Sequence, residues 1–250
     1  MVNRKNSPFG AGWALTEIQQ VHPQAGGGVL LTGGDGTALF FSGGPDSFAS
    51  PARDFSTLIR NPDGTYTRSF KDGTKINFNS QGLQTSVVDR NNNTTAYGYD
   101  GSDRLLTITD PVGLVTTLSY ANGSLQRITD PAGRQTQFQH DSVGNLTRIT
   151  NPDSTFVSYA YDAIGRMTRA TDELGNSTTY VYDFAGRFAQ STRPGGETRS
   201  LVSAKLQGLP NAGIGQGSPT NPAPIVTSEN ASVLLTDGRG NSHFLQNGEK

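Results

Sequence analysis

The sequence that decides the fold is Tyr161-Asp162-Ala163-Ile164-Gly165-Arg166-Met167, a motif that begins again at Tyr182-Asp183. It runs back through the middle of the chain, where an aromatic residue or a histidine recurs every 20 or 21 residues. The members of this aromatic column are Phe78, Tyr99, Tyr120, His140, Tyr161 and Tyr182. Such a period is typical of architectures whose units stack on their neighbours, because one unit cannot bury its apolar face alone.

Two turn signals divide each unit into two strands. Asp-x-x-Gly-Arg follows the aromatic residue, and Asp-Pro-x-Gly follows about ten residues later, as in Asp110-Pro111-Val112-Gly113. The aspartate caps the local backbone, proline presets φ at the second position, and glycine accepts the positive φ that closes the turn. The predicted residues of the second turn include Asp110, Gly113, Asp130, Gly133, Asp172 and Gly175.

The apolar residues predict which faces of the strands are buried. Positions two residues before the aromatic column are also apolar and share its face; they are Ile76, Tyr97, Leu118, Phe138, Tyr159 and Tyr180. The other strand starts with a large apolar residue, such as Leu105, and often has a second one three positions on, such as Ile108. A spacing of three cannot place both on one face, so either the first lies in the turn or a bulge intervenes. We favour the turn position because Gly-Arg directly precedes it in the motif.

The predicted fold class is all-β, with antiparallel β-hairpin repeats stacked into a curved, spiralling sheet. No segment sustains a helical period of apolar residues, and glycine or proline interrupts the chain at short intervals. The predicted domains are an N-terminal β cap region at 1–60, the repeat array at 61–196, a Gly/Pro-rich loop or insertion at 197–231, and a resumed, truncated repeat at 232–250.

Composition argues against several classes of function. The formal net charge is −1 and the basic residues are scattered, so no concentrated positive field exists to bind nucleic acid. The absence of cysteine excludes disulfides, thiol catalysis and zinc–thiolate sites. No apolar run approaches the roughly 20 residues that span a bilayer, and no signal peptide is predicted in this segment. We therefore expect neither a nucleic-acid partner nor membrane insertion.

No catalytic, cofactor-binding or metal site is predicted, and the chain is not expected to be an enzyme. The three histidines, His22, His140 and His243, are far apart in sequence, and His140 belongs to the aromatic column. Paired carboxylates could hydrolyse a glycoside, but an aspartate at every turn indicates capping instead. The repeated tyrosines could pack within the sheet or stack on sugars. The second option makes a cell-surface adhesion or carbohydrate-binding module the alternative function.

The motif Tyr-Asp-x-x-Gly-Arg-Leu-x-x-Ile-Thr-Asp-Pro-x-Gly resembles the YD repeats of RHS proteins, which include bacterial polymorphic toxins, insecticidal toxin-complex subunits and teneurins. The resemblance covers about 63–196. Upstream, Ser7-Pro8-Phe9-Gly10-Ala11-Gly12-Trp13 and Gly34-Asp35-Gly36-Thr37 are similar to segments that precede such arrays. Asp110-Pro111-Val112-Gly113-Leu114 also matches a string in the family's self-cleaving segment, but its regular repeat position indicates a turn.

The resemblance implies a hollow β shell that, in many bacterial members, encloses a C-terminal toxin released by autoproteolysis. This segment would then be a non-enzymatic structural part of the shell, enclosing or presenting a C-terminal toxin or effector region of a longer parent protein. Its partners would be further repeats and the effector of the same polypeptide, or glycans under the alternative function. The family also implies that the parent is secreted or at the cell surface.

Overall fold

The computed structural model describes residues 7–44, 46–183, 186–205, 232–238 and 240–246. Regular structure in these residues consists of 21 β-strands without a helix. The prediction of an all-β fold built from antiparallel hairpins is therefore confirmed. The chain divides into two compact units, Val2–Phe156 and Val157–Lys250.

The first unit is a meander in which strands that are neighbours in sequence are neighbours in the sheet. Each of its strands pairs antiparallel with the next. They are β1 (Gln19–Pro23), β2 (Val29–Gly33), β3 (Ala38–Gly43), β4 (Ser47–Ala49), β5 (Thr57–Arg60), β6 (Tyr66–Ser69), β7 (Lys75–Phe78), β8 (Gln84–Val88), β9 (Thr94–Tyr99), β10 (Leu105–Thr109), β11 (Val115–Ala121), β12 (Ser124–Thr129), β13 (Gln135–His140) and β14 (Leu146–Thr150).

The second unit is built from the same hairpins. β15 (Phe156–Tyr161) begins at the last residue of the first unit and pairs with β16 from Ser158 onward. The strands that follow also pair antiparallel in chain order. They are β16 (Met167–Thr171), β17 (Ser177–Tyr182), β18 (Phe188–Thr192), β19 (Thr198–Lys205), β20 (Ser232–Thr236) and β21 (Ser242–Gln246).

β19 lies at the start of the segment 197–231, for which the sequence predicts a loop or insertion. These first residues form a strand because the turn before them, although it has no aspartate, is still closed by main-chain hydrogen bonds. The Arg193 N–H donates to the Glu197 carbonyl at 2.8 Å, and the Gly196 N–H donates to the Arg193 carbonyl at 2.9 Å. The remainder of the predicted loop, 206–231, lies outside the described residues.

A β-bulge explains why two apolar residues on the second strand of a repeat are three positions apart. Tyr99 pairs with Leu105 and Gly98 pairs with Thr107, so Leu106 is an extra residue in the hairpin β9–β10. The extra residue returns Ile108 to the face of Leu105. The prediction that Leu105 lies in the turn is therefore wrong, since Leu105 is the first residue of β10. The same register shift recurs in the hairpins β7–β8, β11–β12, β13–β14, β15–β16 and β17–β18.

Two clusters of buried side chains form the core of the first unit. One brings the first three strands together with β5, β6 and β7. Its members are Val21, Val29, Leu31, Phe41, Leu58, Tyr66, Ile76 and Phe78. The other consists of Leu105, Leu118 and Leu125, with half-buried aromatic residues of the repeats around it.

An N-terminal strap, residues 7–18, packs against the second cluster through Phe9, Leu15 and Ile18. The strap also bonds to a strand and a turn of the repeats through main-chain hydrogen bonds. The Leu125 N–H donates to the Pro8 carbonyl at 2.6 Å, and the Ala11 N–H donates to the Gly144 carbonyl at 3.1 Å. The sequence predicts a β cap region here, and the strap is an irregular segment that precedes the first strand of that region.

Candidate functional site: the junction between repeats

The aspartate of each turn signal accepts hydrogen bonds from the backbone of its own turn. At Asp130, Oδ1 accepts the N–H groups of Ala132 and Arg134, both at 2.9 Å. The Gly133 N–H donates to the Asp130 carbonyl at 2.9 Å, and Gly133 has a φ of 80°. The same bonds and positive glycine φ angles recur at the other predicted turn residues, Asp110, Gly113, Asp172 and Gly175.

The second carboxylate oxygen bonds to the side chain that follows the turn glycine position. Arg104 Nε donates to Asp100 Oδ2 at 2.7 Å, and the same bond recurs between Arg166 and Asp162 at 2.7 Å. Where asparagine replaces the arginine, its amide donates instead, as in the 2.8 Å bond from Asn145 Nδ2 to Asp141 Oδ2.

Two of these turns also contact the aromatic residue of the next repeat. The guanidinium carbon of Arg104 lies 4.9 Å from the ring centroid of Tyr120, and the Tyr120 hydroxyl donates to the Leu105 carbonyl at 2.8 Å. Arg166 lies over Tyr182 at 4.8 Å, and the Tyr182 hydroxyl again donates to a main-chain carbonyl at 2.8 Å. We call this set of contacts the repeat junction; it consists of the turn aspartate, the arginine and the next repeat's tyrosine.

Sequence reasoning recognised the Gly-Arg pair as a turn signal but gave the arginine no partner. The signal that could have found it is a constant spacing of 16 residues from Arg104 to Tyr120 and from Arg166 to Tyr182. An arginine followed by a tyrosine at this fixed distance indicates a contact between consecutive repeats, because the two antiparallel strands between them bring those positions together.

Each member of the aromatic column pairs with a residue at or next to the start of the following strand. The pairs are Phe78 with Gln84, Tyr99 with Leu105, Tyr120 with Leu125, His140 with Leu146, Tyr161 with Met167, and Tyr182 with Phe188. Phe78 is 1% exposed and belongs to the first core cluster. Burial raises the pKa of Tyr99 and that of Tyr120 to about 12 each, so both hydroxyls keep the proton that they donate.

The junction bears on the carbohydrate-binding alternative. A guanidinium group covers one face of the Tyr120 ring and one face of the Tyr182 ring. The hydroxyl groups of both residues are held by main-chain carbonyls. A sugar that stacked on these rings would have to use the remaining face and would find the hydroxyl already bonded.

One junction in the first unit, which we call the incomplete junction, lacks the aspartate, the arginine and the tyrosine together. The spacing from the third to the fourth member of the aromatic column is 20 rather than 21, because Asn122 and Gly123 form a two-residue turn. Their φ angles of 51° and 83° are those of a type I′ hairpin turn. Ala121 and Ser124 stand where a complete junction has aspartate and arginine. His140 stands in place of the next tyrosine, and its Nε2 is buried without a hydrogen-bond partner in the described structure.

A buried ion pair lies apart from the junctions. Arg68 Nη2 is 2.6 Å from Asp54 Oδ2, and the two side chains are 7% and 8% exposed. Arg68 also donates to Ser56 Oγ at 2.8 Å and to Gln19 Oε1 at 2.9 Å. Burial alone raises the pKa of Asp54, but the hydrogen bonds from Ser56 and the charge of Arg68 outweigh it and lower the pKa overall. Since each group of the pair is bonded, this cluster ties β6 to the segment before β5.

The described residues contain no group of three or more His, Asp or Glu side chains that could hold a metal ion. Nor do they include a helix long and apolar enough to cross a membrane. His22 Nε2 lies 3.0 Å from Thr32 Oγ1, and the side chain of His243 is outside the described part. Hydrogen bonds lower the pKa of the junction aspartates, so these carboxylates are acceptors and poor general acids.

A family model described as RHS Repeat matches the chain in five overlapping windows, 78–117, 99–135, 120–155, 140–176 and 161–198. Each window starts at a member of the aromatic column. Residues 78–198 of the chain are RHS repeats. The period of its RHS repeats is therefore the same in the sequence, the hairpins and the family model.

No curated protein matches the chain. Solved structures that resemble this chain include the crystal structure of TcdB2–TccC3–Cdc42, with 12% identity and a TM-score of 0.44 over 92% of this chain and 15% of that chain. A Photorhabdus luminescens Tc holotoxin pore with a TccC3 mutation has 14% identity and a TM-score of 0.40 over 94% of this chain and 17% of that chain. The chain thus spans less than a fifth of the length of these two.

Proposed function

We propose that the chain is a non-enzymatic structural segment of an RHS shell. The observation that supports this function is the repeat junction, in which the polar groups of one repeat contact their own turn and the next repeat. Asp100, Arg104 and Tyr120 are each engaged in such contacts. Groups used in this way hold a sheet together from repeat to repeat and are not presented to a substrate.

The proposal extends to a longer parent protein. Further repeats would continue the sheet, and the complete shell would enclose or present a C-terminal toxin or effector region. The family resemblance and the RHS Repeat matches support this part. Secretion or display at the cell surface would follow for the parent, because its cargo would act outside the producing cell.

Limited proteolysis followed by mass spectrometry tests the structural part of the proposal. We expect a resistant block between about residues 61 and 196, because protease-sensitive sites need backbone that is not held in paired strands. Rapid cleavage within several strands of the native chain would contradict a structural wall.

A second experiment tests containment in the parent polypeptide. The region after the repeats should be cut more slowly by protease when it is connected to the intact array than when it is produced alone. Equal rates of cleavage would contradict enclosure and would leave the structural role of the repeats as a separate result.

The carbohydrate-binding alternative is less well supported, because guanidinium groups cover one face of two column tyrosines. A glycan array distinguishes the two functions. Binding that is lost on Tyr161→Ala and Tyr182→Ala, with the circular dichroism spectrum retained, would favour the alternative over the structural wall.

A further inference from the structure

A pocket of about 780 Å³ lies at the incomplete junction of the first unit. Its walls come from the strap, the Asn122–Gly123 turn and the turn that starts at Asp141. Three of its lining residues are the ones that depart from the complete junction: Ala121, Ser124 and His140. The pocket therefore lies where the chain's own aspartate, arginine and tyrosine are missing.

A complete junction shows what chemical group belongs at such a place. In the preceding repeat, the guanidinium of Arg104 lies over the ring of Tyr120 and bonds to the carboxylate of Asp100. A planar cation between an aromatic ring and a carboxylate is a favourable arrangement, because the ring face and the carboxylate both attract positive charge. In the repeat that contains the Asn122–Gly123 turn, Ser124 stands in the arginine position, so this repeat supplies no such cation.

The charges around the pocket favour a cation. Asp141 lines it, and its carboxylate accepts hydrogen bonds from neutral groups of Val143, Gly144 and Asn145. Arg104 also lines the pocket, but its guanidinium is 2.7 Å from Asp100. The uncompensated charge in the wall is therefore negative, and the oxygens of Asp141 have lone pairs left to accept further donors.

We propose that this pocket binds an arginine side chain from another polypeptide segment, which completes in trans the junction that the chain leaves open. The guanidinium would lie against the His140 imidazole and donate to the Asp141 carboxylate. Arginine fits better than lysine, because its planar fork can both stack on a ring and bond to a carboxylate. The proposal concerns a recognition site on the repeats and does not depend on enclosure of an effector.

The test uses N-acetylarginine amide as the probe for the whole chain, followed by nuclear magnetic resonance of backbone amides and the His140 ring. N-acetylcitrulline amide is the matched probe, with the same shape and no charge. With the arginine probe, we expect saturable shifts at His140 and at the Asp141 turn. The citrulline probe should bind at least about tenfold more weakly, as expected for the loss of one charge-assisted hydrogen bond.

Two variants are expected to abolish or weaken binding by different routes. Ser124→Arg would place the chain's own guanidinium in the pocket and block the probe. Asp141→Asn would remove the negative charge while keeping an amide oxygen for the turn. Asp130→Asn is the control, because Asp130 belongs to a turn that already has its own arginine at 2.6 Å.

The proposal holds if both pocket variants lose binding at least about tenfold while Asp130→Asn retains it and all three keep the native spectrum. It is overturned if the arginine probe produces no saturable shifts, if citrulline binds equally well, or if Ser124→Arg binds the probe like the natural chain. Should one pocket variant fail to fold, the other variant and the citrulline comparison still decide the outcome.

Discussion

At the scale of single residues, the turn aspartate uses both of its carboxylate oxygens. One carboxylate oxygen of Asp100 accepts the N–H groups of Ser102 and Arg104, and the other accepts the Arg104 side chain. An exposed turn with three such bonds is held in one conformation, and its arginine is held in place for the next repeat. The carboxylate is therefore the group that joins local turn chemistry to the contact between repeats.

We predict that acid destabilises the protein through its aspartates. Hydrogen bonds from the residue four positions on lower the pKa of Asp100, Asp130 and Asp172. Because each folded pKa lies below the unfolded value of about 3.9, the stabilisation is fully present above that pH and is lost as the pH falls through the folded values. The midpoint of urea unfolding, followed by the fluorescence of Trp13, should therefore decrease as the pH is lowered below the unfolded pKa of about 3.9.

The matched test for this acid effect is the double variant Asp130→Asn and Asp172→Asn. It should be less stable than the natural chain at neutral pH, and its stability should depend less steeply on pH in the acid range. An equally steep dependence in the double variant would mean that other groups cause the loss.

A second prediction concerns the one histidine of the aromatic column. His140→Tyr should raise the free energy of unfolding by about 1 kcal/mol, the typical net value of one hydrogen bond. The new hydroxyl would donate to the Leu125 carbonyl, as Tyr120 donates to the Leu105 carbonyl at 2.8 Å. Urea denaturation measures the change, with Tyr120→Phe as the reciprocal control that should lose a similar amount. A less stable His140→Tyr variant beside a destabilised Tyr120→Phe would refute this account of position 140.

At the scale of elements, the short hairpin β11–β12 depends on the backbone of its turn. Gly123 has a φ of 83°, whereas Gly101 in the preceding repeat is not in the positive-φ region, and a Cβ would have open space at both. We predict that Gly123→Ala lowers the free energy of unfolding by about 1 kcal/mol, because alanine disfavours positive φ. Gly101→Ala should stay within about 0.5 kcal/mol of the natural chain. Equal effects in thermal or urea unfolding would show that φ is not the cause.

The strap gives a prediction of a different kind, based on space. A Cβ at Gly34 would overlap the carbonyl oxygen of Leu15, although the φ of Gly34 is not in the positive region. Gly34→Ala should therefore displace the strap and cost about 1–3 kcal/mol, as for an overpacked contact. Gly26→Ala is the control, because its Cβ would meet nothing within 4 Å. Hydrogen exchange at the Ala11 amide reports strap release, and protection unchanged in Gly34→Ala would contradict the prediction.

The elements also show what the sequence can and cannot predict. The hairpins follow from the period, because Asp and Gly recur at each turn and apolar residues alternate along the strand. The bulge after Leu105 could not be chosen from sequence, since a turn position and a bulge both satisfy a spacing of three. The strap contacts at Leu125 and Gly144 join residues far apart in the chain, and no local pattern specifies them. The contact between Arg104 and Tyr120 could be predicted from sequence, but only through the spacing of 16 residues that recurs from Arg166 to Tyr182.

At the scale of the whole molecule, buried core is concentrated in the first unit. All fully buried hydrophobic side chains in the described residues lie between Val21 and Leu146. The described part of the second unit has half-buried faces instead, and Phe188 is 38% exposed. In repeat proteins, stability is the sum of intrinsic terms and contacts between neighbouring repeats. Repeats without a closed core of their own therefore depend on their neighbours.

We predict that the two units differ in local stability within the intact chain. Backbone amides of β6, β7, β8 and β10 should exchange with deuterium more slowly than those of β16, β17 and β18, because opening the former exposes buried core.

Separate production of residues 1–156 and 157–250 gives the complementary test. The first piece should show a cooperative unfolding transition, while the second alone should not, since its half-buried faces have no further layer to pack on. Equal protection across both units, or a cooperative transition in the isolated second piece, would mean that hairpin turns and junctions alone stabilise an RHS repeat.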